Sequence, residues 1–169
     1  MCTRRGFTLF ELILVICLIG IFAAIALERL TRYQELAEKT AMERTVGALR
    51  SALALRLASY ALGGRLAQAP ELAQQNPMDW LAERPGNYVG ELYDPLDADV
   101  TGGSWYFDRK TRELVYRPRM TRFFQPSADG RYEVRYAAVV RLGEAPGAQR
   151  EVSQLTIRPT RPYQWAPVW

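Results

Sequence analysis

Glu11 is the one charged residue in an apolar run that extends from Phe7 to Leu27. A carboxylate in hydrocarbon costs at least ~2.5 kcal/mol on insertion scales, so its presence there calls for a partner charge. The rest of the chain offers little for covalent chemistry. Its 169 residues include no histidine, which excludes Ser-His-Asp and Cys-His nucleophiles and histidine-ligated zinc. No nucleophile elbow, phosphate-cradling glycine loop or CxxC pair occurs. An enzymatic role is not expected, and no cofactor is called for. Two other constellations bear weighing. Asp94-x-x-Asp97-x-Asp99 gathers carboxylates of the kind a hard cation takes, but the spacing is not that of an EF-hand and reads as a solvated acidic loop without metal. Tyr106, Tyr116, Tyr132 and Tyr136 lie among arginines, as in a single-strand nucleic-acid platform. They equally describe an ordinary sheet face, so nucleic acid is not the expected partner.

The elements that position these residues follow from hydropathy and punctuation. Phe7 to Leu27 is 21 residues, roughly 32 Å as a helix, which matches a bilayer core. Arg4 and Arg5 precede it, so the short end should stay cytoplasmic while the rest crosses. A secretory signal would place a small-residue cleavage site after the run. Glu28-Arg29-Leu30-Thr31-Arg32 follows instead, and the small residue, Gly6, comes before it. That order points to processing on the cytoplasmic side.

Arg5-Gly6-Phe7-Thr8-Leu9-Phe10-Glu11 resembles the prepilin motif of type IV pilins and type II secretion pseudopilins. The resemblance covers about the first 30 residues, and its motif is specific. It implies cleavage between Gly6 and Phe7 by a prepilin peptidase of the inner membrane and N-methylation of Phe7. It also implies that Glu11 of one subunit pairs with the Phe7 amine of its neighbour. Gly20 matches a glycine that gives the family's membrane helix flexibility. Many members carry proline where Glu28 stands here, so the kink associated with that proline is not expected. The partners implied are the peptidase and methylase, other pilin or pseudopilin subunits, and the membrane.

Beyond the membrane segment, Met42, Val46, Leu49, Leu53, Leu57 and Tyr60 recur at helical spacing, which predicts an amphipathic helix to Leu62. Glycines and prolines from Gly63 to Gly103 predict a loop region, with a helical turn over Pro77-Met78-Asp79-Trp80-Leu81 anchored to the core by Trp80 and Leu81. It holds two basic residues against seven acidic ones, whereas residues 103–169 hold twelve against six. Strands are expected over Ser104–Phe107, Glu113–Arg117, Arg131–Leu142 and Glu151–Arg158. The only cysteines, Cys2 and Cys17, cannot staple this part, so packing alone must hold it. Ile16 before Cys17 is too large for a lipoprotein site. The tail from Pro159 carries Tyr163, Trp165 and Trp169; its expected role is a clasp folded against the sheet, and the alternative is that it presents these aromatics to a partner.

The chain therefore divides into a leader (1–6), a transmembrane helix segment (7–27), an amphipathic extension (28–62) and a head (63–169). The head comprises a loop region (63–102), a β-sheet (103–158) and the tail (159–169). The expected class is α+β, a long N-terminal helix packed on a small antiparallel sheet. The expected function is that of a filament subunit, a type II secretion pseudopilin or minor pilin. A type IV pilus subunit for adhesion, motility or DNA uptake is the alternative, and a monomeric membrane-anchored binding protein is the alternative of another class. The expected location is a bacterial inner membrane, single-pass, with the head in the periplasm.

Overall fold

The computed structural model describes residues 8–96, 99–127, 129–143 and 151–165. One helix, α1, runs without interruption over Leu9–Leu62, 54 residues or ~81 Å. Thr8 caps its start, its hydroxyl accepting the Glu11 N–H at 3.2 Å. Its end is closed by a glycine pair. Gly64 takes a φ of 65°, and the Gly64 and Arg65 N–H groups donate back to the Ala61 and Tyr60 carbonyls. This is the Schellman arrangement, which needs a left-handed residue after the cap. The helix passes through Gly20, Glu28 and Gly47 unbroken.

Five strands form the main sheet in the order β1 (Tyr88–Leu92), β2 (Ser104–Asp108), β3 (Glu113–Arg117), β5 (Val134–Gly143), β6 (Glu151–Pro159). A second pair, β4 (Phe124–Gln125) and β7 (Gln164–Trp165), is antiparallel. The class is α+β, but the sheet is mixed: β1 runs parallel to β2, and the other pairs are antiparallel. The region 63–102, expected as loop with a helical turn over Pro77–Leu81, holds that turn as a 3-10 helix, Pro77–Trp80, and adds a second, Leu66–Gln74, and the strand β1. Its strand is hard to see because Gly90 interrupts it at a φ of 127° with a bulge, and its residues are only half-buried. Nor does a parallel edge strand have a hairpin turn to announce it.

The stripe on α1 becomes the core. Met42, Val46, Leu49 and Leu53 are buried against Trp105, Phe107, Leu114, Tyr116, Val134, Tyr136 and Ile157, with Leu57 and Tyr60 at its margin. Alternation in β2 and β3 sends Tyr106 and Val115 to the opposite face, where Val100 covers them. Gly102 is required by close approach: a Cβ there would stand 2.8 Å from the Arg119 Cα.

The tail closes on the head through β7. Trp165 is buried, edge-on to Phe124 at 5.3 Å between centroids, and Tyr163 stacks on the same ring at 6.3 Å. Residues 166–169, with Trp169, lie outside the described residues. Deleting residues 161–169 removes this cluster, so the head should lose about 2–4 kcal/mol, the scale of an aromatic truncated from a core. Denaturant unfolding of the truncated and intact chains measures it; equal midpoints would contradict the clasp.

Candidate functional site

The first half of α1 has no cover. Every residue from Leu9 to Leu30 is exposed, and none of the most apolar stretch is buried by the other described residues. Among the described residues this is the one helix long and apolar enough to cross a membrane. Glu11 lies in its first turn, three residues after its Thr8 cap. Thr8-Leu9-Phe10-Glu11 is thus also a capping-box sequence, a local role that the apolar setting overshadowed. Gly20 sits mid-helix in open space. Gly6 and Phe7 lie outside the described residues.

Where α1 meets the head, two carboxylates grip a loop. Glu35 is 1% exposed although it looks like part of the polar surface, and it lies seven residues before Met42, on the buried stripe. Its Oε1 accepts the Phe123 N–H at 3.0 Å and the Trp165 Nε1–H at 2.9 Å, while Oε2 has no partner. One turn on, Glu38 accepts the Arg119 N–H at 2.6 Å, the Met120 N–H at 3.1 Å and the Tyr116 hydroxyl at 2.9 Å. Burial pushes the Tyr116 hydroxyl pKa up, and the Glu38 charge adds to the shift. Lys39 donates to the Trp165 carbonyl at 3.3 Å. An open cavity of about 460 Å³ flanks this grip, lined by Gln34, Ala37, Glu38, Gly103, Tyr116, Arg119 and Met120.

A second polar cluster occupies the sheet face away from α1. Arg135 is 6% exposed and pairs with Glu133 at 2.6 Å, Glu113 at 2.9 Å and Asp108 at 3.2 Å. Tyr106 donates to Glu133 at 3.2 Å. Burial works against the charge on Arg135, but Glu133 and Glu113 outweigh it and keep the guanidinium protonated. Burial alone would likewise raise Asp108; the Lys110 N–H, the Thr111 hydroxyl and Arg135 outweigh it and hold the carboxyl below its usual value. In the sequence these residues pass for surface charges. Strand register brings them together, with Asp108 of β2 opposite Glu113 of β3 and Arg135 of β5 opposite Val115.

The other candidates disperse. Asp94 pairs with Lys110 at 2.6 Å, and Asp99 accepts the Leu96 N–H at 2.8 Å; Asp97 lies outside the described residues. No group of three metal-ligating side chains occurs among the described residues. Tyr106, Tyr116 and Tyr136 are each 3% exposed and cannot stack on a base, which leaves Tyr132 on the surface. The opposite charges of the two halves of the head meet within one chain, in Lys110–Asp94 and Arg109–Glu91.

No family model, curated protein or solved structure matches this chain.

Two outcomes follow from the clusters. Glu35→Ala strands two donors in the interior and should cost about 2–4 kcal/mol, whereas Glu35→Gln keeps an acceptor and should stay within ~1 kcal/mol of the parent. Urea unfolding separates the two; equal losses would mean that the charge, not the acceptor, matters. The folded pKa of Asp108 lies below the unfolded value of about 3.9, so its stabilisation is complete above that value and is lost as pH falls through the folded one. Head stability should therefore decline below about pH 4, and Asp108→Asn should lower stability at neutral pH and flatten that acid limb. Unfolding midpoints across acidic pH test it, and an unchanged slope would contradict it.

Proposed function

We propose that this protein is a structural subunit of a pilus-like filament. It is held in a bacterial inner membrane by the first half of α1, has its head on the periplasmic side, and is processed between Gly6 and Phe7. A type II secretion pseudopilin or minor pilin is the preferred setting, because with Cys2 and Cys17 as the only cysteines no disulfide can close a C-terminal loop. A type IV pilus subunit is the alternative. The observation that carries the reading is the single unbroken helix from Leu9 to Leu62, apolar and bare in its first half, with one carboxylate, Glu11, near its start.

The chemistry of assembly follows from that carboxylate. Cleavage after Gly6 creates an ammonium on Phe7, and a helix N-terminus already favours negative charge nearby. In its own chain Glu11 follows that amine by four residues; between stacked subunits the pair can close. Leaving either charge unpaired in hydrocarbon costs several kcal/mol, so pairing fixes the axial register of the next subunit. The amphipathic half of α1 transmits that register to the head.

Two measurements on the native protein test the reading. Intact mass should place the mature start at Phe7 with one added methyl group; retention of Met1 would contradict it. Glu11→Gln keeps a capping-box acceptor without the charge. Both Glu11→Gln and Glu11→Ala should insert normally yet lose the ladder of cross-linked oligomers formed by the parent. A normal ladder from Glu11→Gln would reduce Glu11 to a helix cap, and no ladder from the parent would favour a monomeric anchor.

A further inference from the structure

Between residues 28 and 39, α1 carries Glu28, Arg29, Arg32, Glu35, Glu38 and Lys39, three acids balanced by three bases. The fold breaks this balance at the surface. Glu35 is buried, and Glu38 is occupied by Tyr116 and the loop amides. Arg29 on the helix and Arg122 on the same loop are both exposed. Arg32 and Arg122 both lie over the Phe123 ring, 5.6 and 5.7 Å from its centroid, and Arg32 Nε has no acceptor. Tyr33, next on the helix, is 61% exposed. Glu28 meets Arg32 at 3.1 Å, but both side chains are exposed, and such pairs are weak and readily exchanged.

The position of this cluster identifies its partner. At 1.5 Å per residue, Arg29 stands ~3 Å and Arg32 ~7.5 Å beyond Leu27, the end of the apolar run. The polar headgroup layer of a bilayer is about 5–7 Å deep on each side of its hydrocarbon core. Arginine and aromatic side chains therefore lie together at the level of the lipid phosphates. Arginine presents a fork that matches phosphate oxygens, and aromatic rings favour the interface. We propose that the underside of the head, formed by Arg29, Arg32, Tyr33, Arg122 and Phe123, docks on anionic phospholipid headgroups of the leaflet from which α1 emerges. The contact would set the tilt of α1 and rest the head on the membrane. It depends on α1 spanning the bilayer.

The test uses the full chain in nanodiscs of phosphatidylcholine, with or without phosphatidylglycerol, and reads amide hydrogen exchange over residues 119–124. Each arginine near an anionic surface contributes about fivefold, so exchange there should slow at least about fivefold when phosphatidylglycerol is present. High salt should remove the difference, as should Arg29→Gln, Arg32→Gln and Arg122→Gln together. If exchange in β2 shows that this triple variant unfolds, Arg122→Gln alone must reduce the difference. Arg84→Gln, on a distant loop, should leave it intact. Equal exchange in the two lipids with the chain inserted would overturn the docking but not the membrane reading. The same slowing from inorganic phosphate with phosphatidylcholine alone would make the site one for a free anion and overturn the lipid assignment. A chain that enters neither bilayer would remove the membrane reading and the docking with it.

Discussion

Glu35 ties three separated parts of the chain together with one oxygen. It holds the Phe123 N–H at the entrance to β4 and the indole of Trp165 in β7, and it does so from the first buried turn of α1. β4 and β7 pair over two residues each, far too short a ladder to persist alone. The carboxylate supplies what that ladder lacks, one buried acceptor shared by donors from its two sides. Burying a polar group opposes this, and Oε2 remains without a donor. The balance is workable because Trp165, Phe124 and Tyr163 add a large apolar cluster beside the bonds.

Along α1 the cover changes before that turn. Up to Leu27 the helix is apolar around its whole circumference, Glu11 apart, and bare; from Glu35 onward one stripe is covered. A helix apolar all round suits lipid, and a one-sided helix suits a sheet. The chain keeps α1 helical through Gly20, Glu28 and Gly47, so on the proposed reading forces at the membrane end reach the head without a hinge. The grip of Glu35 and Glu38 fixes the 119–123 loop just beyond that end, and on the same reading its arginines stand where lipid gives way to water.

The long helix was legible because its apolar stripe repeats a helical period from Met42 to Tyr60, and the β2–β3 hairpin because two short apolar runs, Trp105–Phe107 and Leu114–Tyr116, flank a hairpin-length connection. What escaped was non-periodic. β1 is broken by Gly90 and takes its pairing from an edge that sequence does not reveal. Glu35 occupies an apolar stripe position, yet a lone glutamate there reads as the polar margin until its donors, almost ninety and more than a hundred residues away, are in place. Asp108, Glu113, Glu133 and Arg135 carry the signature of surface charge, and only strand register brings them to one buried face. The tail was legible in part, because three aromatics amid prolines are too apolar to leave in water.

Two glutamates on one helix thus meet the cost of an apolar setting in different ways. Glu35 finds its donors within the chain, and its role is exhausted by packing. Glu11 also sits among leucines and isoleucines, but among the described residues its carboxylate has no partner, although its backbone N–H is bonded to the Thr8 hydroxyl. A packing residue and an assembly residue can share type, burial preference and energetic cost, and the difference lies in where the compensating donor resides. For Glu35 it is on the same polypeptide. For Glu11, on the proposed reading, it is the amine of another subunit, so the cost of placing that charge in hydrocarbon is relieved by assembly, and the isolated chain is left with a reason to associate.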